Sequence, residues 1–366
     1  MTLVIHIVTT IERGGAEAAV LQLAKQQVSW GHTVHVVPLK GNLDLLKQFE
    51  DHGVTVNLDL LNIRFLRQLY LARHLINRYK DALFHAHLPR SELLLSLISG
   101  RINFIVTRHN SEHFLPAPCE NISPLISRWV LRKAKVVIAI SSATESFLRN
   151  YKEVDLIKNV EVVYYGYKPT YVSPNFVSKS ANDSYINTNI LTIGRLAKQK
   201  NLLFALDVMF ALKNDKQRFH FTIVGDGSQR KELEIRTLKL GLNDSVTFVG
   251  KTSDIFGFMS KSQVFLMTSL YEGFGLVNLE AMDYGLPVIA PFTSTFPEIL
   301  GRDHPLFFEP NNVVSCVEKL KELFGYSHSQ IESLQERQRS QMNRFSEQKY
   351  LERHNEIYAR VICGEY

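Results

Sequence analysis

Apolar residues along this chain fall into short β-rich runs separated by longer stretches of helical spacing. Leu3–Val8 predicts a strand. Ala16–Trp30 predicts a helix with Val20, Leu23, Ala24 and Val28 on one stripe and Gly31 placed to end it. Thr33–Pro38, Leu83–His85, Phe104–Thr107, Val136–Ile140 and Val160–Tyr164 predict further strands. Short apolar runs alternating with helices are the pattern of parallel strands buried on both faces. The rhythm breaks over 171–189, a polar stretch rich in Ser and Asn that reads as a linker. A second set follows at Ile190–Ile193, Phe219–Val224, Val246–Val249, Val264–Met267 and Pro287–Ala290, and a last helical pattern spans Ser346–Ile362. The expected architecture is α/β, with two doubly wound domains at 1–170 and 190–345. A C-terminal segment, 346–366, could pack back on the first domain. Two such domains imply a cleft, with ligands beyond the carboxyl ends of the strands.

Composition narrows the class. The chain has 366 residues, 45% of them hydrophobic and 21% charged, a globular profile that excludes disordered and fibrous classes. Its densest apolar burst, Leu93–Ile98, is far too short to span a bilayer. No basic, leader-like region precedes the first strand, and Cys119, Cys316 and Cys363 lack metal-ligand spacing, so a reducing cytoplasm is the expected compartment. Charge is uneven. Residues 1–168 carry 20 Lys and Arg against 14 Asp and Glu, whereas the remainder is balanced at 22 of each. Arg64, Arg67, Arg73, Arg78 and Lys80 form one basic group, and Arg128, Arg132, Lys133 and Lys135 a second. A solvated helix face is one reading of them and an anionic partner the other. No interleaved aromatic stacking pattern or recognition module favours nucleic acid. Between Leu60 and Tyr79, Leu66, Leu69, Tyr70, Arg73 and Ile76 recur near helical spacing among the basic residues, a pattern that could rest on anionic lipid headgroups.

Three loops invite chemistry. After the first strand, Gly14-Gly15-Ala16-Glu17 opens a helix, where unpaired N–H groups and close backbone approach suit a phosphate or carboxylate; a plain strand-to-helix turn needs no more than this. It is not Gly-x-Gly-x-x-Gly, so a nicotinamide dehydrogenase loses its best support. The second domain opens with Gly194-Arg195 and, five residues past the arginine, Lys200: a fork donor and a point charge that would serve a diphosphate, or two surface cations in a loop. The most specific stretch runs from Ser269 to Met282. There Glu272 lies in a loop and Glu280, eight residues on, in a helix, with Phe274, Gly275, Leu276 and Val277 between them. Carboxylates accept hydrogen bonds from vicinal hydroxyls, and N–H groups from Gly275 to Val277 could meet phosphate oxygens. His85-x-His87 with His109 invites a metal reading, but no cysteine or acidic cluster supports it, and histidines at strand ends are commonly hydrogen-bonded loop residues.

Glu272 and Glu280 with the intervening Gly-Phe-Gly-Leu loop resemble the E-x7-E signature of glycosyltransferase family four, retaining enzymes of the GT-B fold. The resemblance extends along nearly the whole chain: Gly14–Glu17, His85–His87, Thr107–His109, Ile140-Ser141, Tyr165–Tyr167, Gly194–Asn201, Val224–Gly227, Val249-Gly250 and Gly285–Val288 stand in the same order. It implies two Rossmann-like domains. It implies that Arg195 and Lys200 bind the donor's diphosphate, that Glu280 binds the ribose hydroxyls, and that Glu272 contacts the transferred sugar. Phe274, Gly275, Leu276 and Val277 would lend backbone groups, Gly14 and Gly15 belong to a loop closing over the phosphates, and Gly250 and Lys251 lie near the base. His109 would stand close to the donor sugar and the acceptor. Two departures touch these loops: Phe292–Glu298 lacks the Gly-Gly that often precedes the family's Pro-Glu, and Tyr165 stands where Asn is common.

The expected activity is therefore hexosyl transfer from a nucleotide sugar, expected to be UDP-linked, to a glycan or lipid-linked acceptor in surface polysaccharide or glycolipid synthesis. No metal is expected, because the chain has no Asp-x-Asp and two cations could supply the charge. A covalent intermediate and same-face substitution both remain open, so no nucleophile is assigned. A GDP-mannose-dependent enzyme and a silent sugar-nucleotide-binding subunit are the alternatives. The expected location is cytoplasmic, with peripheral contact to an anionic membrane through the basic first domain.

Overall fold

The computed structural model describes residues 2–98, 100, 102–115, 121–155, 159–170 and 188–366. It divides into two units, 1–166 with 347–366, and 167–346. The first unit contains β1 (Leu3–Val8), α1 (Gly15–Ser29), β2 (Thr33–Pro38), α2 (Leu46–Glu50), β3 (Thr55–Val56), α3 (Phe65–Arg78), β4 (Leu83–His87), α4 (Pro89–Ile98), β5 (Phe104–Arg108), α5 (Ser123–Lys133), β6 (Val136–Ala139), α6 (Ser142–Asn150) and β7 (Val160–Val162). The second contains β8 (Thr188–Ile193), α7 (Leu202–Asn214), β9 (Phe219–Val224), α8 (Arg230–Lys239), β10 (Val246–Gly250), α9 (Ile255–Met259), β11 (Val264–Leu266), α10 (Leu276–Asp283), β12 (Val288–Pro291), α11 (Phe296–Leu300), β13 (Phe307–Phe308), α12 (Val313–Phe324) and α13 (His328–Met342). The chain ends in α14 (Glu347–Ile362), which belongs to the first unit.

Both sheets are parallel and doubly wound. The first has seven strands in the order β3-β2-β1-β4-β5-β6-β7 and the second six in the order β10-β9-β8-β11-β12-β13. Strand order reverses between β1 and β4 in one and between β8 and β11 in the other, the switch points where such sheets open a crevice at their carboxyl ends. Period-two alternation sorts the first sheet's residues into two layers. Ile5, Ile7, Phe84 and Ala86 join one core with Ala72, Ile76, Leu94, Leu95, Val130 and Leu131 from α3, α4 and α5. On the other side Val8, Val34 and Val36 pack with Val20, Ala24 and Phe49 from α1 and α2. In the second unit the nearly all-apolar α7 buries Leu202, Phe204, Leu206, Met209 and Leu212 against Phe221 and Ile223 of β9.

The boundaries differ from the sequence reading in several places. Most of the predicted linker, 171–187, lies outside the described residues, while Thr188 and Asn189 pair with Phe219 and His220 and so begin β8. Tyr167 and Thr170 go with the second unit, because the Tyr167 hydroxyl and the Thr170 N–H both donate to Asp283, at 2.9 and 2.8 Å. The two-residue strands β3 and β13 carry too little pattern to be seen in sequence. The stripe expected on α3 splits: Ile76 is buried and Leu69 partly so, while Leu66, Tyr70 and Arg73 face outward. Glu347 receives a hydrogen bond from Gln22 of α1 at 2.8 Å, and the Tyr350 hydroxyl donates to the Ala19 carbonyl.

Candidate functional site

In the second unit the candidate residues gather at the carboxyl ends of β8 and β11, on either side of the switch point. The chain leaves β8 through Gly194, whose N–H donates to the Val224 carbonyl, and returns over it. A Cβ at Gly194 would stand 2.8 Å from Lys200 Cε, so a side chain there would push the lysine's flexible end aside. Lys200 Nζ reaches Glu272 at 2.6 Å, with both side chains largely buried. The Thr268 hydroxyl holds the Lys200 carbonyl at 2.8 Å, and Gln199 donates to the Tyr271 carbonyl at 2.9 Å. Lys200 and Glu272 are thus fixed from both main-chain and side-chain directions.

The loop after β11 is braced by the segment in which the sequence departs from the family. Ser294 accepts from the Glu272 N–H at 2.9 Å and donates to the Glu272 carbonyl at 3.1 Å, and Thr295 donates to the Phe274 carbonyl at 3.2 Å. Gly275 has φ of +84° and caps α10 without a side chain. A Cβ there would meet Asn278 Nδ2 at 2.7 Å, so the backbone N–H groups at Leu276 and Val277 open the helix with nothing built over them from this residue. Phe274 is buried and meets Phe345 edge-on. Glu280 is half-buried on the same helix. Burial holds its carboxyl above the usual range, and it has no hydrogen-bond partner among the described residues. Arg195 is exposed and likewise lacks an ion-pair partner among them. Gly250, with φ of +84°, accepts from the Gly225 N–H at 2.9 Å, which ties the end of β10 to that of β9, and Lys251 beyond it is exposed.

In the first unit Gly14 and Gly15 are exposed at the start of α1, beside a recess lined by Thr10, Glu17, His87 and Leu88. His109 is buried, and both its ring nitrogens are taken. Parallel register places His6 opposite His85 and, two residues on, Val8 opposite His87, so the three histidines share one sheet face. There His6 reaches Gln27 Oε1 at 2.7 Å and His87 at 2.9 Å, His87 reaches His109 at 2.9 Å, and His109 meets the Tyr165 hydroxyl. The Gln27 carbonyl oxygen can only accept, which sets the polarity. His6 Nε2–H donates to Gln27, His87 Nε2–H to His6, His109 Nε2–H to His87, and the tyrosine O–H to His109 Nδ1. His85 binds Tyr358 and Thr107 at 2.5 and 2.7 Å. All eight ring nitrogens of His6, His85, His87 and His109 are therefore committed to protein groups. His6, His85 and His87 lie close enough to share a cation, yet a metal would have to displace these bonds. Burial pushes the imidazoles down, to about 4 for His6 and His354, to about 3 for His109, and well below the usual value for His85 and His87. They are neutral at pH 7.

Sequence reasoning missed His6 and Gln27 as members of this chain, and Tyr358 as the partner of His85. The available signal was His6 at the same depth in β1 as His85 in β4. Arg108, next to His109, points to the opposite layer, buried against Glu92 at 3.4 Å and Glu153 at 3.1 Å.

Residues 13–171 match the Glycosyltransferase Family 4 model and residues 181–341 the Glycosyl transferases group 1 model, together spanning both units. The chain belongs to glycosyltransferase family four. It is 38% identical over 115 residues to the amylovoran biosynthesis glycosyltransferase AmsD of Erwinia amylovora, a stretch covering 31% of this chain and 32% of that relative. It is 25% identical over 290 residues, 75% of each protein, to an α-1,4-N-acetyl-D-galactosaminyltransferase of Campylobacter jejuni whose name gives a PP-undecaprenol-linked glycan as its substrate. The match spans only 38% and 32% of the length of the first two curated relatives. Among solved structures, Anabaena HepE in complex with UDP and glucose superposes with a TM-score of 0.79 at 19% identity, over 97% of this chain and 99% of that one, a likeness of fold. The family's fold, GT-B, has the two parallel α/β sheets described above.

Proposed function

We propose that this family-four glycosyltransferase moves a hexosyl unit from a UDP-sugar to a glycan or lipid-linked acceptor in polysaccharide or glycolipid synthesis, with retention and without a metal. The observation that carries the proposal is the Lys200–Glu272 pair held at the β8/β11 switch point, with Arg195 one residue past Gly194 and a half-buried Glu280 on α10. HepE holding UDP and glucose, and a relative named for an undecaprenol-linked glycan, support the donor and acceptor classes.

Glycosyl transfer leaves negative charge on the departing diphosphate and positive charge at the anomeric carbon. Lys200 and Arg195 would stabilise the first, and cations fixed before the reaction need no reorganisation during it. The N–H groups opening α10 would add donors for phosphate oxygens. Glu280 is suited to accept from the two ribose hydroxyls, which would give its buried carboxylate the partners it lacks. Glu272 is ion-paired and its main chain is clamped by Ser294, which suits a group that positions a sugar better than one that attacks it. That supports same-face substitution over a covalent glycosyl-enzyme. His109 is neutral with both ring nitrogens occupied, so it offers no titrating nitrogen to the reaction.

The test is turnover of UDP-, GDP-, ADP- and dTDP-hexoses with polyprenyl-diphosphate-linked saccharides as acceptors, with and without EDTA, and product anomers read by NMR. An α-linked product from an α-UDP-sugar, formed at equal rate in EDTA, is expected. An inverted product, an EDTA-abolished rate or preference for GDP would each refute the corresponding part.

A further inference from the structure

Beneath the segment that follows β5 lies a buried cluster of charge that the transfer reaction leaves unused. Arg108, the last residue of β5, is buried, and so are both carboxylates it meets, Glu92 of α4 and Glu153 beyond α6. One cation between two carboxylates leaves a negative charge uncompensated in the core unless one carboxyl is protonated. The contacts say which. Arg108 Nη2 lies 3.1 Å from Glu153, which also accepts from the Ser127 hydroxyl at 2.6 Å and meets the His113 ring at 3.4 Å. Glu92 makes the longer contact, 3.4 Å to Nη1, and its Oε1 has no partner among the described residues. Glu153 is thus placed to be the ionised partner, and Glu92 to hold a proton. Burial raises the Glu92 carboxyl to about 7. Among the described residues, Arg108 and Glu153 are the charged groups that act on it. The elements packed with α4, namely β1, β4, α3 and α5, turn apolar residues such as Ile7, Ala86, Ala72 and Val130 into the same core.

The same arginine holds the chain after β5. Its Nη2 donates to the Glu112 carbonyl at 3.1 Å and closes the turn from 108 to 112. Glu153 holds His113, whose ring lies against Phe147 of α6 and Tyr151 just after it. This segment leaves the sheet at its carboxyl end, next to the end of β4, which is its neighbour in the strand order. Arg108 Nε, like Glu92 Oε1, has no partner among the described residues. An ionised Glu92 would offer two oxygens to the Nε–Nη1 edge, the fork that a carboxylate binds best. Turning that edge toward Glu92 draws Nη2 away from the Glu112 carbonyl.

We propose that Glu92, by holding or releasing one buried proton, positions residues 109–115 for the acceptor. Protonated, it leaves Arg108 to Glu153 and the Glu112 carbonyl, and the turn is held. Ionised, with its proton given up to bulk water, it takes the arginine and the turn is freed. Glu92 is a positioning residue that acts through Arg108 and touches no substrate. The inference rests on the proposed transfer reaction, in which the donor's groups lie in the second unit and the carboxyl-end crevice of the first sheet is left for the acceptor.

The experiment compares the full-length wild type with Glu92→Gln, a neutral side chain of the same shape that stands in for the protonated acid at every pH. Hydrogen exchange of peptides covering 109–115 reads the turn without any substrate, and comparing the two proteins at one pH cancels the intrinsic rates. Equal exchange is expected at pH 6, and exchange about tenfold faster in wild type at pH 8.5, where the protonated fraction has fallen about thirtyfold. With a saturating UDP-hexose and a polyprenyl-diphosphate-linked saccharide as the varied acceptor, wild-type acceptor KM should rise about tenfold more than that of Glu92→Gln over the same range. Donor KM should move alike in both, and matching melting curves at pH 6 serve as the folding control. Equal exchange at pH 8.5, or an acceptor KM that follows the same pH course in both proteins, would overturn the inference. Exchange that separates as expected in a protein that transfers no sugar would support the proton-dependent turn and count against the proposed function instead.

Discussion

Acidification should unfold the first unit well before carboxylate chemistry alone would. His6, His109 and His354 are neutral when folded, with burial holding them near 4, 3 and 4, and each would take a proton near 6.5 once unfolded. Between those values the unfolded chain binds more protons than the folded one, so stability falls as pH drops below about 6.5 and the loss is complete only below the folded values. Each group contributes at most about 1.4 kcal/mol per pH unit and reaches that slope only below 6.5, so the three together remove roughly 6–7 kcal/mol between pH 6.5 and 4.5. His85 and His87 shift in the same direction and add to this. Glu92 opposes it. Burial raises its carboxyl to about 7, above the unfolded value, so its proton favours the folded state as pH falls from about 7 toward 4.5. Over the same window that returns about 2 kcal/mol and leaves a net loss of roughly 4–5 kcal/mol, close to the whole stability of a marginal domain. The proton on Glu92 makes sense electrically, since the single Arg108 faces two buried carboxylates. Urea titrations at half-unit steps from pH 7 to 4.5, followed by fluorescence and circular dichroism, measure the slope directly. Replacing His354 by Phe should make it shallower. A flat midpoint from pH 6.5 to 5 would refute the neutral-chain account.

Three further outcomes follow from the geometry of the second unit. Lys200→Met or Arg195→Ala should lower turnover by about 10²–10³, the scale of losing a preorganised donor at developing charge, as read from kcat with saturating donor. Gly225→Ala should prevent folding of that unit, because its Cβ would sit 1.9 Å from the Gly194 carbonyl oxygen at φ of +130°; soluble yield and melting report this. Ser294→Ala removes both hydrogen bonds to the Glu272 main chain and should cost about 1–3 kcal/mol locally, appearing as a raised donor KM with little change in melting temperature.

Much of the fold was legible because buried parallel strands announce themselves: Leu3–Val8, Thr33–Pro38 and Phe219–Val224 have the bounds their apolar runs predict. Edges were not. Two-residue strands have no periodicity to detect, and α3 carries long apolar side chains on both sides, so the stripe read as one that could rest on lipid headgroups includes Ile76, which is buried in the core. At the candidate site, Lys200 and Glu272 could be named from motif spacing, but their 2.6 Å contact could not, since it depends on the glycine turn folding the lysine back. The Phe292–Glu298 departure could be placed only near the ligand-binding loops. In the structure Ser294 and Thr295 brace the Glu272–Phe274 loop, a role that pairs residues some 20 apart and leaves no local trace. The histidine chain shows the same limit, because its ends, Gln27 and Tyr165, become neighbours only once the strands are ordered.

The central claim, that the β8/β11 switch point grips a nucleotide sugar through its diphosphate and ribose, is tested most directly by calorimetric titration of UDP and UDP-hexoses into wild type, Lys200→Met and Glu280→Ala in the presence of EDTA. The account predicts metal-free binding of UDP, weakened at least tenfold by either substitution, with wild-type melting retained. Equal affinity in all three proteins, or binding only when a divalent cation is restored, would contradict it.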